Sequence, residues 1–269
     1  MQPRILVPTG YGLNCEAETA YSFNVVGGEA DTIHLSRVFA NPSILEKYQI
    51  LAMIGGFSFG DHIAAGKVLA NRYKYRLAEH LERFVAEGKL ILGICNGFQS
   101  MVQYGLLPGF DGNFEEQLVS LAPNDSGVFE DRWVTLAVNK NSKCVFIKDI
   151  DVLELPVRHG EGKFVTRDPN VLRRLWVQGQ VVIQYIDPAT GMPTMKYPLN
   201  PNGSIDAIAG ICDPTGRIFG LMPHPEAYNS PYNHPNWPSQ ILVNRLPTEG
   251  LGLQIFRNAV EYVKNNFQL

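Results

Sequence analysis

The chain has 269 residues, of which 45% are hydrophobic and 18% are charged, as is typical of a globular protein. Its formal net charge of −3 gives no electrostatic reason to expect a nucleic acid or an anionic membrane as a partner. No linker-like segment divides the chain, so we predict a single domain over residues 1–269.

The sequence disfavours both membrane insertion and secretion. No segment approaches the run of about 20 apolar residues that a transmembrane helix needs, and the N-terminus carries no signal-peptide pattern. We therefore expect a cytoplasmic protein. The cysteines form no C-x-x-C pair, which argues against a zinc site or a disulfide framework; they are Cys15, Cys95, Cys144 and Cys212.

The first part of the chain alternates apolar runs with helical patterns. We predict strands over residues 4–9, 32–35, 49–54 and 90–92, and helices over 16–26, 43–48 and 66–87. Strands that alternate with helices pair in parallel and form a sheet that helices cover on both faces. Ligands of such sheets bind beyond the carboxyl ends of the strands.

Beyond residue 110 the apolar runs are shorter and are separated by turns. We predict strands over residues 117–122, 133–138, 152–157, 181–186 and 218–222, and a last helix whose apolar face carries Ile255, Phe256, Val260 and Val263. Proline and glycine mark two turn-rich loops, 187–204 and 228–240. The predicted fold class is α/β, with an open, mostly parallel sheet covered by helices on both faces and a mixed or antiparallel extension.

Cys95 lies where the pattern changes from strand to helix. The apolar run 90–92 precedes it, and apolar residues at helical spacing follow. Gly93 and Gly97 flank it as G-x-C-x-G, the cysteine form of the nucleophile elbow. Such a turn holds the sulfur exposed at a helix N-terminus, where the helix dipole favours the nucleophilic thiolate. A small residue of the core is the alternative interpretation.

A thiolate nucleophile needs a base that can also return a proton, and that base needs a partner that orients it. His224 is the best candidate, because the predicted strand 218–222 leads into Pro223-His224-Pro225-Glu226. The prolines favour an extended backbone, in which residues two apart share a face. We therefore predict that Glu226 orients the imidazole. A surface turn with an incidental histidine is the alternative.

The third part of the predicted site is an oxyanion hole. The glycine-rich segment 54–61 follows the third strand, so its N–H groups lie near Cys95, and the N–H of Asn96 supplies a second donor. A phosphate-binding loop over Gly60–Lys67 is a weaker interpretation of this region. Its glycine spacing is wrong, and Val68 replaces the Ser or Thr that binds magnesium.

Six motifs extend over nearly the whole chain: Gly55-Gly-Phe-Ser-Phe-Gly-Asp-His62, Gly93-Ile-Cys-Asn-Gly-Phe-Gln99, Asn124-Asp-Ser-Gly-Val-Phe-Glu-Asp-Arg-Trp133, His159-Gly-Glu-Gly162, Tyr197-Pro-Leu-Asn-Pro-Asn-Gly-Ser204 and Leu221-Met-Pro-His-Pro-Glu226. In this order they resemble the motifs of the class I glutamine amidotransferases, which have a flavodoxin-like fold. Within that family the chain is similar to the glutaminase subunits of phosphoribosylformylglycinamidine synthases, which act in purine biosynthesis.

The resemblance implies a glutaminase reaction through a cysteine thioester. It implies that Cys95 is the nucleophile, that His224 is the general base and acid, and that Glu226 orients the histidine. The remaining implied residues surround the glutamine: backbone at Gly56 or Phe57 and at Asn96 for the oxyanion, Gln99 for positioning, and a neighbouring motif with Asn124, Ser126, Phe129 and Arg132.

Two further residues and one departure accompany the resemblance. For His159 and Glu161 two roles stay open: a hydrogen-bonded structural pair, or a place at the subunit interface or ammonia entrance. Ala227 stands where family members usually have Arg, and this difference bears on how a synthetase partner is arranged.

The resemblance implies glutamine as the substrate, a separate synthetase subunit that receives ammonia, and a small linker subunit. No ATP-binding motif is present, so we expect ATP and magnesium on the synthetase and no cofactor or metal on this chain. Other functions stay open, namely a non-catalytic assembly subunit with the same fold, another class I amidotransferase, or a thiol hydrolase.

Overall fold

The computed structural model of the chain describes residues 2–268. In its first part strands and helices alternate: β1 (Arg4–Thr9), α1 (Glu16–Val25), β2 (Glu29–His34), α2 (Leu35–Ala40), β3 (Ile50–Met53), α3 (Lys67–Ala86), β4 (Leu90–Ile94) and α4 (Asn96–Tyr104). The four strands predicted in this part are present, and the predicted helix over 43–48 is a 3₁₀ helix, Pro42–Lys47.

The second part is richer in strands: β5 (Val119–Pro123), β6 (Glu130–Val138), β7 (Val152–His159), β8 (Glu161–Thr166), α5 (Pro169–Val177), β9 (Val181–Asp187), β10 (Met192–Pro193), β11 (Ile208–Cys212), β12 (Ile218–Leu221), α6 (Trp237–Leu242) and α7 (Leu253–Asn266). The short β10 lies within the predicted loop 187–204, and α6 begins inside the predicted loop 228–240. No helix within residues 2–268 has the length and apolarity of a membrane span.

Within residues 2–268, ten strands form one sheet in the order β2-β1-β3-β4-β12-β11-β9-β6-β7, with β10 on β9. The strands from β2 to β12 pair in parallel, and those from β12 to β7 pair antiparallel. The predicted α/β class, with its antiparallel extension, is confirmed. The strand predicted over residues 117–122 is expected to extend this sheet, and this detail is wrong. That strand, β5, pairs with β8 in a separate two-stranded sheet.

The centre of the sheet is the core of the protein. Strands β3, β4 and β12 are buried along their whole length, as expected for apolar strands that are covered on both faces. Helix α1 packs against α7, and α3 packs against α4. The apolar face predicted for the last helix is buried, since Ile255, Phe256, Val260 and Val263 belong to the core.

Two elements, α2 and β11, differ from the prediction for identifiable reasons. Leu35 is predicted to end a strand, but it begins α2, because the His34 side chain accepts a hydrogen bond from the Ser36 N–H and caps the helix. Strand β11 contains Gly210, at which its register with β9 shifts. A strand with such an irregularity does not show a regular alternation.

Candidate active site

The turn between β4 and α4 carries Cys95. Its backbone has φ 50° and ψ −106°, a strained conformation for a residue with a side chain. A Cβ at Gly93 would lie 2.0 Å from the sulfur of Met101, and one at Gly97 would lie 1.9 Å from the carbonyl oxygen of Met53. Position 97 therefore requires glycine, because the contact is with fixed backbone, whereas a side chain at position 93 would force Met101 to move. Both contacts agree with the predicted nucleophile elbow.

The sulfur of Cys95 is buried, so the predicted exposure is wrong. Only 4% of the residue is exposed, and its Sγ donates to the carbonyl oxygen of Arg158 at 3.6 Å. The end of β7 covers the elbow, and no pattern near Cys95 in the sequence encodes that contact. The residue still lies at the N-terminus of α4, as predicted.

His224 and Glu226 follow the strand next to β4. Strand β12 is parallel to β4, with Leu221 opposite Ile94, and the Cys95 N–H donates to the Leu221 carbonyl at 2.8 Å. The cysteine and the histidine therefore extend from adjacent strand ends to one edge of the sheet. Nδ1 of His224 lies 2.5 Å from Oε1 of Glu226, and the two residues are 2% and 1% exposed.

The backbone around this pair differs from the prediction. His224 itself is extended, with φ −106° and ψ 92°, but Pro225–Tyr228 form a 3₁₀ helix. Glu226 reaches the imidazole from the first turn of that helix. The predicted contact is present, and the predicted reason for it, an extended segment on both sides of the histidine, is wrong.

The charge state of His224 follows from its surroundings. Burial alone would lower the pKa of the imidazole, but Glu226, with contributions from Cys95 and Cys15, raises it well above its ordinary value of 6.5. Nδ1 faces Glu226, so the second proton is on Nε2, which has no hydrogen-bond partner among residues 2–268. In its charged form His224 is therefore an acid whose Nε2–H is free to serve a leaving group.

Cys15 is a site residue that the sequence reasoning misses. Its sulfur, a ring nitrogen of His224 and a carboxylate oxygen of Glu226 all lie within 4.8 Å of one another, and a Cβ on Gly55 would touch both Cys15 and His224. Burial raises the pKa of the Cys15 thiol, which keeps it protonated beside the charged ring. Cys15 belongs to none of the motifs, so no sequence signal marks it.

Cys15, His224 and Glu226 also offer the donor types that bind zinc. Two ligand atoms about 2.0–2.2 Å from one tetrahedral ion lie more than about 3 Å apart. Nδ1 of His224 and Oε1 of Glu226 are closer than that, at 2.5 Å. Their geometry is that of a hydrogen bond that orients the histidine.

The glycine-rich segment after β3 lies against the loop that precedes α1. Leu13 and Gly56 form an antiparallel bridge, and the Phe57 N–H donates to the Gly12 carbonyl at 2.8 Å. Phe57 is therefore unavailable as an oxyanion donor in this arrangement, which leaves Gly56 of the two predicted positions. Asn96 is the first residue of α4, so its N–H has no acceptor one turn earlier in the helix.

The side chains of Asn96 and Gln99 belong to one buried network. Nδ2 of Asn96 donates to Oδ1 of Asp61 and to Oε1 of Gln99, both at 2.9 Å. Nε2 of Gln99 donates to the Glu161 carbonyl at 2.6 Å, and Oε2 of Glu161 accepts from the Ala65 N–H at 3.2 Å. Both ends of Gln99 are engaged, so in this state Gln99 and Glu161 fix the surroundings of the elbow.

Asn124 and His159 form a second buried cluster. Nδ2 of Asn124 donates to the carbonyls of His159 and Val128, and Oδ1 accepts from the Gly162 N–H and lies 3.1 Å from Nδ1 of His159. His159 is 2% exposed. Its partner is Asn124, so the predicted hydrogen-bonded pair of His159 with Glu161 is wrong, and a role of these residues at the subunit interface or ammonia entrance stays a prediction.

The other residues of the predicted glutamine pocket lie closer to the surface. Ser126 and Phe129 are exposed, and Arg132 is half-buried. The Phe129 ring lies 6.2 Å from the ring of Phe57, which places it beside the glycine-rich segment. Nη2 of Arg132 donates to the Tyr197 hydroxyl at 2.9 Å. None of these contacts brings the three side chains to the Cys95 sulfur.

Comparison with known proteins gives consistent results at the level of sequence. Residues 2–263 match the CobB/CobQ-like glutamine amidotransferase domain. The chain is 46% identical over 255 residues to the phosphoribosylformylglycinamidine synthase subunit PurQ of Dehalococcoides mccartyi, covering 94% of each chain. It is 40% identical over 267 residues to the subunit of the same name from Archaeoglobus fulgidus, again covering 94% of each.

Solved structures of similar fold agree with the sequence comparisons. A chain of PurLQS from Thermotoga maritima is 28% identical, with a TM-score of 0.70 and coverage of 98% of this chain and 100% of that one. A glutamine amidotransferase from the same organism, 16% identical, has a TM-score of 0.56 over 97% of this chain and 98% of its own, and shows the shared fold alone. Since the family match spans residues 2–263, the chain belongs to the CobB/CobQ-like glutamine amidotransferase family.

Proposed function

We propose that this chain is the glutamine amidotransferase subunit of a phosphoribosylformylglycinamidine synthase. It hydrolyses glutamine to glutamate and ammonia, and a separate synthetase subunit uses the ammonia to convert formylglycinamide ribonucleotide to formylglycinamidine ribonucleotide. The observation that carries the proposal is the buried His224–Glu226 pair on the strand end next to Cys95, in a chain 46% identical to a PurQ subunit over 94% of each chain.

Cys95 first leaves the Arg158 carbonyl and gives its thiol proton to Nε2 of His224, which forms the thiolate and the imidazolium. The thiolate then attacks the carboxamide carbon of glutamine, whose carbonyl oxygen becomes an oxyanion. The backbone N–H groups of Gly56 and Asn96 donate to this oxygen, and one such donor contributes on the order of 10²–10³ to the rate. Nε2–H of His224 then protonates the departing nitrogen. The C–N bond breaks, ammonia leaves, and a glutamyl thioester remains on Cys95.

Hydrolysis of the thioester reverses the proton transfer. His224, now neutral, takes a proton from a water molecule whose oxygen attacks the thioester carbon. The C–S bond breaks, glutamate leaves, and the thiolate and the imidazolium are restored. Glu226 favours the imidazolium in both steps through its 2.5 Å contact with Nδ1, and it fixes the ring orientation.

The site is closed in this state. Cys95, His224 and Glu226 are 4%, 2% and 1% exposed. The Cys95 sulfur is hydrogen-bonded to the Arg158 carbonyl and does not face a position open to the glutamine carboxamide. Glutamine must therefore displace the end of β7 from the elbow. A partner that moves this segment would open the site, in keeping with catalytic contacts that form fully only in the reacting complex.

The proposed reaction defines the partners. ATP and magnesium act on the synthetase subunit, a small linker subunit joins the complex, and glutamine is the substrate of this chain, all in the cytoplasm. The similar chain from Thermotoga maritima is part of PurLQS, which supports an assembly of several subunits. Ala227, beside Glu226, stands where family members usually have Arg. This difference concerns the arrangement of the subunits and leaves the catalytic residues in place.

The experiment that tests the proposal compares two nitrogen sources in the assembled complex. Cys95→Ala should abolish synthesis from glutamine and leave synthesis from free ammonia intact. Cys144→Ala is the matched control, since Cys144 is a buried free cysteine outside the site, and it should retain both activities. Undiminished use of glutamine by Cys95→Ala would refute the proposal. A wild-type complex that is inert towards a glutamine-analogue electrophile would indicate a non-catalytic assembly subunit.

A further inference from the structure

The side chain of Asn96 connects the elbow to the glycine-rich segment. Its Oδ1 accepts from the Ser58 N–H at 3.3 Å, and its Nδ2 donates to Oδ1 of Asp61 at 2.9 Å. A backbone N–H only donates and a carboxylate only accepts, so these two partners fix the orientation of the amide. Asn96 and Ser58 are 0% and 1% exposed, so the hydrogen bonds that satisfy them are made within the protein.

This connection joins the two halves of the proposed oxyanion hole. One donor is the N–H of Asn96 itself, the first residue of α4, and the other is the N–H of Gly56, which precedes Ser58 in the glycine-rich segment. An oxyanion hole works only when its donors are already in place, about 2.7–3.1 Å from the position that the oxygen will occupy. The hydrogen bond between the Asn96 side chain and Ser58 therefore helps to set the separation of the two donors.

Asp61 lies in a strained part of the chain, residues 59–63. Phe59, Asp61 and Ile63 have φ values of 54°, 50° and 77°, and Gly60 has a φ of 68°. Left-handed conformations are unfavourable for residues with a side chain, and they persist only where surrounding contacts hold them. Ile63 is 90% exposed, so its own side chain does not anchor the segment. The contacts that hold these residues in place must come from elsewhere in the segment.

The carboxylate of Asp61 supplies such a contact. Besides the hydrogen bond from Asn96, its Oδ1 accepts from the Gly66 N–H at 3.4 Å. Gly66 lies directly against α4, since a Cβ on it would be 2.6 Å from the backbone nitrogen of Ser100. One carboxylate oxygen thus joins the strained residues to the first turn of α4 and to the segment that packs on that helix.

We propose that Asp61 is a positioning residue for the oxyanion hole, an inference that rests on the proposed function. By holding the Asn96 amide, it keeps the start of α4 against the glycine-rich segment, so that the N–H groups of Asn96 and Gly56 point at one oxygen. Nδ2 of Asn96 also donates to Oε1 of Gln99 at 2.9 Å. The bond to the Asp61 carboxylate is charge-assisted and therefore stronger than the bond to that neutral amide. Asp61 acts through Asn96 and does not itself contact glutamine.

The first test replaces Asp61 by glycine, which removes the carboxylate and adopts the left-handed conformation freely. We expect kcat for glutamate formation in the assembled complex to fall on the order of 10²-fold, as for the loss of one oxyanion donor. KM should stay nearly unchanged, because the oxyanion exists only after the attack on glutamine. Asp61→Asn keeps an acceptor oxygen and should retain most of the activity. An unchanged kcat in Asp61→Gly, or an equal loss in Asp61→Asn, would overturn the proposal.

Asp111→Gly is the matched control. Asp111 also has a left-handed φ, of 58°, and its carboxylate also accepts a hydrogen bond, from Nη2 of Arg174 at 2.6 Å, but neither residue contacts Asn96. The control variant should retain the kcat and KM of the wild type. A loss of kcat equal to that of Asp61→Gly would show that a glycine in a left-handed turn is sufficient for the effect, and it would overturn the proposal.

A double-mutant cycle tests whether Asp61 acts through the side chain of Asn96. Asn96→Ala removes the amide and keeps the backbone N–H. If the carboxylate acts only by holding that amide, Asp61→Gly should lower kcat in the wild-type background and have almost no further effect in the Asn96→Ala background. Losses that simply multiply in the double variant would show that Asp61 acts by another route, and they would contradict the proposal.

The last test does not depend on activity. The Ser58 N–H is buried and donates to the Asn96 side chain, so its hydrogen exchange in the full chain, followed by NMR, reports how firmly that side chain is held. We expect exchange to be about tenfold faster or more in Asp61→Gly and unchanged in Asp111→Gly. Exchange at the wild-type rate in Asp61→Gly would overturn the proposal. If the wild-type complex forms no glutamate, the proposed function fails, and the exchange rate still decides whether Asp61 holds Asn96.

Discussion

Replacement of Gly55 by alanine tests how closely His224 is held in place. A Cβ on Gly55 would lie 2.9 Å from Cε1 of His224 and 3.1 Å from Sγ of Cys15. Carbon atoms pack at about 3.5–4.0 Å, so the imidazole or residue 55 must move by roughly 0.6–1 Å. The φ of Gly55 is outside the left-handed region, so the alanine adds a contact without backbone strain.

A displacement of about 1 Å in a reacting group costs on the order of 10² in rate. This factor corresponds to about 2.7 kcal/mol of transition-state stabilisation. We expect Gly55→Ala to lower kcat/KM for glutamate formation in the assembled complex by this factor. The double variant Gly55→Ala/Cys15→Ala should recover part of the activity, because the second change removes one of the atoms that the new Cβ meets.

Gly160→Ala is the matched control for this prediction. A Cβ there would meet only Phe129, at the ordinary distance of 4.0 Å, and the position also lies near the site. Full activity of Gly55→Ala would refute the reasoning, since His224 would then tolerate displacement. An equal loss in Gly160→Ala would show that the effect does not come from the contact with the imidazole.

Two further predictions concern stability. The pKa of His159 is lowered by burial from 6.5 to about 3, so below pH 6.5 the unfolded chain binds a proton that the folded chain does not. The free energy of unfolding should therefore fall by up to about 1.4 kcal/mol per pH unit from this group as the pH drops towards 3. Urea unfolding measured at several pH values should show a weaker dependence of the free energy of unfolding on pH for His159→Gln than for the wild type. An unchanged pH dependence would contradict this origin. Gly97→Ala places a Cβ 1.9 Å from the Met53 carbonyl oxygen. Such overpacking should cost about 1–3 kcal/mol or more, and an unchanged Tm would show that the elbow has room.

The features that the sequence predicts correctly depend on short stretches of chain. Strands β1, β3 and β4 are brief apolar runs whose residues are buried on both faces, so their local pattern matches their place in the sheet. The elbow around Cys95 is also local in the sequence, because Gly93 and Gly97 flank it, and a Cβ at either position would meet a methionine, Met101 or Met53. The His224–Glu226 contact spans two residues and is predicted correctly, although through the wrong backbone conformation.

The features that the sequence does not predict depend on contacts between distant segments. The Cys95 sulfur contacts the Arg158 carbonyl instead of being exposed, and the Phe57 N–H is occupied because Gly12 accepts its hydrogen bond. Cys15 reaches His224 from the loop before α1, and no motif includes it. Strand β5 has the apolar pattern of a sheet strand, and this pattern does not specify that its partner is β8.

The central claim is that the sulfur of Cys95, and not that of the neighbouring Cys15, attacks the glutamine carboxamide. The most direct measurement is peptide mass spectrometry of the assembled complex, quenched in acid during turnover of ¹³C-labelled glutamine. We predict a labelled glutamyl group on the peptide that contains Cys95, absent in Cys95→Ala and retained in Cys15→Ala. Label on Cys15, or glutamate formation without any covalent label, would contradict the proposed mechanism.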